Sequence, residues 1–368
     1  MTIFKAIDKW LIPYLQNANK RRAPVEGTRH LLFCVADHYE PFRGGASEDA
    51  ARRLVDRWCR EYPQRFAEFT DADGRPPRHT FFYPGEEYNA DCLRSLGGLC
   101  SAGFGEVEVQ LHHREDTPQT LARKLVHFRD QLDTEHGMLG RDAAGVPRYG
   151  FVHGNWALCN SRSDGDWCGV DQELSVLRET GCFADFTFPS VPSETQPRVV
   201  NSIYYAEDAA GQRRGHDRGR LVEAGKQPAL RDHELMLIQG PLALDWKRRK
   251  WGVLPRIENG EMTPVNMLTP TRVDLGVRQQ VGVLGRPDLT ILKIHTHGCL
   301  DGVIDLLLGD AMRNVHQHLR ACYNDGSRWS LHYVSARELF NVIRAVESGK
   351  RGDPAGFLNF EIRAPEMR

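Results

Sequence analysis

The sequence has no paired-cysteine signature, no long apolar run and no excess of either charge. Its nine cysteines (Cys34, Cys59, Cys92, Cys100, Cys159, Cys168, Cys182, Cys299 and Cys322) are odd in number and scattered, with no CxxC pair. That pattern excludes a disulfide framework and a zinc ribbon and predicts reduced, mostly buried thiols. No segment approaches the roughly 18 uninterrupted apolar residues that a bilayer-spanning helix needs. The opening stretch has no apolar core of the secretory type, since Lys5, Asp8 and Lys9 interrupt it and Pro13 follows. A cytoplasmic location is the expectation. Forty-eight basic residues against 49 acidic ones leave a formal charge of −1, so no basic field draws the whole chain onto nucleic acid. There is no fixed repeat, and no Walker loop, Rossmann glycine fingerprint or GxSxG elbow. Those absences remove solenoid, nucleotide-dependent and serine-hydrolase readings.

What remains is a chain of 368 residues, 40% hydrophobic and 26% charged, with ample material for a large α/β core. Residues 1–29 read as an amphipathic helix and linker, with Phe4, Ile7, Trp10, Leu11, Tyr14 and Leu15 near helical spacing. His30 to Ala36 is the first strong strand, a continuous apolar run of the kind buried on both faces of a parallel sheet. Helix and strand then alternate. Strands are expected at His79 to Tyr83, Glu106 to Leu111, Arg148 to Val152 and Thr290 to Ile294, and helices at 48–69, 87–100, 117 onward, 171–180, 301–322 and 335–348. Thr117 and Pro118 are the cap and first residue of one of these helices. Residues 201–290 are richer in Gly, Pro and Arg and read as an irregular insertion. The alternation predicts a (β/α) barrel, or a related parallel sheet, over residues 30–350, followed by a C-terminal tail at 351–368.

Chemistry gathers at the strand ends, where α/β folds place it. Six of the 15 histidines (His38, His112, His113, His153, His295 and His297) fall just beyond predicted strands, with Asp37 beside the first. Imidazole is both the commonest metal ligand and a proton carrier near neutrality. A single strand-end histidine is usually structural; six with an aspartate point to a metal site. His295 and His297 are two apart, so an extended chain aims both to one side. His112 and His113 are adjacent and face opposite ways, so one is a ligand candidate and the other a supporting or substrate contact. Gln110, one strand period before His112, is a weak ligand, a substrate hydrogen-bonding group or a solvent-exposed glutamine.

This layout resembles the polysaccharide deacetylases, the NodB-like carbohydrate esterase family 4, in a remote branch associated with polysaccharide biosynthesis. The first family motif, a strand ending in base and metal-ligand aspartates, is matched by Cys34-Val35-Ala36-Asp37-His38, with His38 in the second place. The metal-histidine motif is matched by the stretch from Gly105 to His113, with a doublet in place of a wider histidine spacing. Phe151 to Trp156, Ala184 to Thr187 and Leu292 to His297 stand where the remaining motifs fall.

The resemblance implies a distorted (β/α) barrel and a metal-dependent hydrolase removing acetyl groups from a sugar or polysaccharide intermediate. It implies a divalent metal, zinc in the first instance, held by His38, His112 and His113. It also implies Asp37 as base and His295 or His297 as acid, with His153, Asn155, Trp156 and Asp185 toward the carbohydrate. Two other readings stand beside it. One is a different barrel hydrolase (an amidohydrolase or phosphoesterase), whose HxH pair belongs on the first strand and not the last. The other is a catalytically silent carbohydrate-binding or assembly protein. The N-terminal helix and the basic run Trp246 to Trp251 are candidates for peripheral contact with a membrane.

Overall fold

A computed structural model describes residues 4–17, 25, 27–227, 229 and 231–367. Most of the linker expected at 21–29 lies outside them. In chain order the elements are α1 (Ile7–Gln16), β1 (Arg29–His38), α2 (Glu48–Phe66), β2 (His79–Pro84), α3 (Ala90–Ser101), β3 (Gly105–Leu111) and α4 (Pro118–Thr134). Next come β4 (Gly140–Arg141), β5 (Pro147–His153), α5 (Glu173–Glu179), β6 (Cys182–Asp185), β7 (Ile203–Glu207), β8 (Gly219–Leu221) and β9 (Glu234–Ile238). The chain continues through β10 (Ala243–Lys250), β11 (Leu254–Glu258), β12 (Glu261–Met262), α6 (Pro270–Val277) and β13 (Leu289–Thr296). It ends with α7 (Val303–Leu307), α8 (Asp310–Tyr323), β14 (Trp329–Tyr333) and α9 (Ala336–Glu347).

The strands form one large, mostly parallel sheet in the order β12-β13-β1-β2-β3-β5-β6-β9-β7-β8, with β14 on β1 and β4 on β5. From β12 to β9 every neighbour in that order is parallel; β7 and β8 are antiparallel additions at one end. Strand parity sorts the side chains, since successive residues face opposite sides. Leu31, Phe33 and Val35 of β1 enter a core shared with Trp58 and Phe66 of α2 and with residues of α3 to α8. Leu32, Cys34 and Ala36 face the other way, where they meet Phe82, Val152, Ile238 and Ile291 and are capped by Leu339, Val342 and Ile343 of α9.

Several expectations are refined. Among the described residues no ladder joins the two ends of the sheet, so the hydrogen-bonded architecture is a mixed α/β sheet. The 201–290 segment is more regular than its composition suggests: it supplies β7 to β12 and α6, and β9 joins the parallel sheet directly. The helix expected at 301–322 is two, separated around Gly309, which stands just ahead of α8. β14 was not anticipated; it pairs with the N-terminal half of β1 while β2 takes the C-terminal half.

On one flank Trp10 of α1 is buried with Val191, Val200 and Leu242, and the Tyr14 hydroxyl accepts from the Leu244 amide at the start of the β10–β11 hairpin. That hairpin exposes Trp246 and Trp251. No helix among the described residues is long and apolar enough to cross a membrane.

Candidate metal centre

The parallel register sets the strand ends level. Ala36 is opposite His295, Pro84 opposite Gln110 and Leu111 opposite His153. The chain leaving β1, β2, β3, β5, β6 and β13 therefore walls a single cleft of about 890 Å³, reached by Glu40, Glu86, His112, Trp156, His295 and His297.

Four side chains converge on one oxygen at its floor. Glu40 Oε1 lies 2.5 Å from Gln110 Nε2, 3.3 Å from His112 Nε2, 3.9 Å from His297 Nε2 and 4.0 Å from His38 Nδ1. The convergence follows from period two. His38 and Glu40 are two apart, as are Gln110 and His112, and each pair therefore emerges on one side of its strand end. Glu40 and His38 are both 1% exposed. His38 Nδ1 is buried without a hydrogen-bond partner, although it faces this cluster. An orphaned imidazole nitrogen beside a buried carboxylate is the arrangement a cation resolves.

The electrostatics agree. Burial, with the rings of His297, His295 and His112 alongside, holds His38 well below the ordinary histidine range. His297 is lowered too, by burial. Burial pushes Glu40 up, but His112, His297 and Arg43 outweigh it and leave the carboxyl below its ordinary value. For His112 burial opposes charge, yet Glu40 and Glu86 overcome it and raise the pKa to about 10. Glu86 holds His112 twice, through a short contact at Nδ1 and from the backbone amide at 3.0 Å. Glu87, beside it on the cleft wall, is pushed up to about 7, chiefly by burial.

Trp156 closes the wall. Its ring stacks on His38 (5.1 Å between centroids, 18° between planes) and meets His295 edge-on. Its φ of 61° is a left-handed conformation that bulky side chains rarely adopt, so the fold holds this indole in place at a conformational cost.

The residues singled out in the sequence fall into three groups. His38, His112, His295, His297, Asn155 and Trp156 do meet at the cleft. Asp37 does not open onto it: one carboxylate oxygen accepts from the Gly298 amide at 2.6 Å and the other faces His79 Nδ1 at 3.0 Å, with the residue fully buried. His113 parts from His112 and enters a separate buried group with His153, where Nε2 is 3.0 Å from Glu173 and Nδ1 is 3.2 Å from Asp116. Asp185 is also interior; it accepts from the Thr187 hydroxyl and amide and is raised to about 7 by burial, with Lys293 opposing.

Sequence reading missed Glu40, Glu86 and Glu173. The first had a signal, its spacing of two from His38; the others depend on loops meeting across the fold. Two of the groupings that could hold a metal ion are thus His38–Glu40–His297 in the cleft and His113–His153–Cys168–Glu173 behind it. Comparison of the chain with protein-family models and with curated proteins gives no match.

Proposed function

We propose that this protein is a metal-dependent hydrolase of the polysaccharide-deacetylase type, removing acetyl groups from a sugar or polysaccharide intermediate. The observation that carries the reading is the convergence of His38, Glu40 and His297 on one point at the floor of the cleft, with His38 Nδ1 buried and unpartnered. Two imidazoles and a carboxylate are the protein ligands of a catalytic zinc site that keeps one position open. His38, Glu40 and His297 would hold a divalent cation, zinc by this ligand set, which would supply Lewis acidity toward an acyl carbonyl.

The chain's own groups do the rest. Gln110 orients Glu40 through its amide hydrogen bond. His112, which lines the cleft and is held by Glu86 at Nδ1 and by Glu40 at Nε2, is the proton carrier to the leaving group. Asp37 takes a positioning role here, setting the chain after β13 so that His297 points inward. Trp156, Trp167, Asn155 and Ser190 give the cleft both aromatic faces and polar groups, which suits a carbohydrate.

A (β/α) barrel fits the same reading. Gly240, just after β9, lies so close to β13 that an added Cβ would stand 2.4 Å from the Lys293 carbonyl. The buried Lys293 ammonium reaches across to the Phe188 carbonyl at 2.8 Å and also bonds that of Phe186.

Metal analysis and acetate release test the proposal together. His38→Ala and His297→Ala should each lose one equivalent of bound divalent metal and all release of acetate from N- or O-acetylated oligosaccharides. Unchanged metal content in both variants overturns the site, and a metal-loaded wild type that frees no acetate overturns the activity.

A further inference from the structure

Behind the cleft, the second half of the His112-His113 doublet faces a different set of groups. His113 Nε2 is 3.0 Å from Glu173 Oε1, and His153 Nε2 is 3.7 Å from the same oxygen. The Cys168 thiol lies 3.2 Å from Glu173 Oε2. All four residues are buried, and their nearest ligand atoms lie within 4.8 Å of one another. Edges of a tetrahedron around zinc, with bonds of about 2.0–2.3 Å, measure about 3.3–3.8 Å. The two imidazole spacings to Oε1, 3.0 and 3.7 Å, bracket most of that range, and no ligand-atom spacing in the group exceeds 4.8 Å. His153 Nε2 is buried with no hydrogen-bond partner, although it points into this group, while its Nδ1 accepts from the Asn155 amide at 3.2 Å.

We propose that His113, His153, Cys168 and Glu173 form a second metal site, a closed structural one that takes zinc. The donor set is two nitrogens, one sulfur and one oxygen, which supplies four ligands and leaves no position open. Charge balances inside it: the dication is matched by the Cys168 thiolate and the Glu173 carboxylate. The Cys168 thiol proton and the His113 Nε2 proton that faces Glu173 leave to solvent on binding, and His153 moves its proton from Nε2 to Nδ1, giving up the Asn155 amide. The outer support is already built. Asp116 lies 3.2 Å from His113 Nδ1 and is itself fixed by Lys124 at 2.7 Å and the Thr120 hydroxyl at 2.6 Å. A carboxylate behind a ligating histidine fixes its ring and raises its basicity.

The backbone favours the same assembly. Asp116 donates its amide to the Cys168 carbonyl at 3.0 Å. Gly169, at φ 94°, passes so close to Asp116 that a Cβ there would meet backbone atoms at 2.7 Å. The ion would tie the chain after β3 to the ends of β5 and of the segment before α5. Because His112 precedes His113 directly, this clamp also steadies the cleft. The proposal does not depend on the catalytic reading, since none of its ligands lies in the cleft.

The test uses full-length protein stripped of metal and refilled with cobalt(II) or zinc. Cobalt bound through Cys168 gives a near-ultraviolet thiolate charge-transfer band, which the cleft site cannot produce. The band should persist in His297→Ala and vanish in Cys168→Ser, which should also bind one equivalent less. Zinc-edge X-ray absorption of the wild type, which requires no variant to fold, should show a sulfur neighbour at about 2.3 Å. Zinc ligated by nitrogen and oxygen alone overturns this site while leaving the cleft site standing. One equivalent bound with sulfur supports this site and overturns the other. A charge-transfer band that survives Cys168→Ser overturns the assignment outright.

Discussion

Asp37 and Glu40 stand three residues apart at the end of β1, yet different donors claim them. Asp37 is occupied by Gly298 and His79, Glu40 by Gln110 and His112. Variants of Asp37 separate positioning from proton transfer. Asp37→Ala strands a buried amide and a buried imidazole and should lower stability by about 2–4 kcal/mol in a denaturant titration. Asp37→Asn keeps an oxygen for Gly298, while His79 accommodates the new amide by changing tautomer. Its metal-loaded turnover should then stay within about tenfold of wild type, whereas loss of a general base lowers the rate on the order of 10²–10⁴. A loss of the larger size would return Asp37 to the chemistry. At this scale the strand-end histidines were legible because a buried strand must end where its apolar run stops. Glu40 was equally legible through parity with His38. The departure of His113 was not, because its partners Asp116, Cys168 and Glu173 are brought to it by loops whose meeting no local pattern encodes.

Elements place those side chains through two close approaches that only glycine permits. A Cβ at Gly154, after β5, would stand 2.5 Å from the His112 ring, and one at Gly298, after β13, would stand 2.2 Å from Asp37 Oδ2. The neighbours cannot yield freely, because Glu86 pins His112 and His79 pins Asp37. Gly298→Ala should therefore shift His297 and weaken metal binding on the order of 10–100-fold, the size seen when support behind a ligand is lost. Gly154→Ala should keep its metal but lower turnover, since it moves the proton carrier and no ligand. Competitive chelator titration beside rate measurement distinguishes them, and equal metal affinity in both variants would refute the division of roles. The same scale shows what patterning could and could not reveal. β1, β2, β5 and β13 were readable as largely apolar runs and β3 as an alternation of Val and Leu with Glu and Gln, each buried over most or all of its length. β14 is only five residues, with Ser330 and His332 breaking its apolar character, and its pairing comes from the free lower edge of β1. β7 to β9, β11 and β12 were hidden by lengths of five residues or fewer, β10 by its run of Lys and Arg, and all of them by the Gly, Pro and Arg of their connections.

Across the whole molecule, the interior face of the sheet is closed by a helix that is itself wholly buried. Every residue of α9 is buried, including Arg337, Glu338, Asn341, Arg344 and Glu347. A buried charge is tolerated when it is paired and its hydrogen-bonding capacity is filled. Here Arg337 grips Glu106 at 2.7 and 3.0 Å, and Asn341 makes four hydrogen bonds to the main chain of residues 358–362. The C-terminal segment is thereby fastened over the helix. Glu338 draws two guanidinium groups and an amide: Arg78 at 2.6 Å, a short contact with Arg75, and the Ser335 amide at 2.9 Å that completes the helix cap. Burial opposes its charge, but Arg78, Arg75 and Arg337 outweigh it and bring its pKa down to about 2. A carboxyl depressed in the folded state from the unfolded value of about 4.3 stabilises the fold above that value and loses the stabilisation as pH falls toward 2. Glu338→Gln should therefore cost about 3–5 kcal/mol at neutral pH, the range for breaking a buried ion pair. The gap from wild type should narrow as the pH is lowered from about 4 to 2, because the wild-type carboxyl is then protonated as well. Urea denaturation of both proteins at pH 7 and near pH 3 measures it. A gap that stays constant across that interval would mean that the charge of Glu338 contributes nothing and that only its shape holds α9 beneath the sheet.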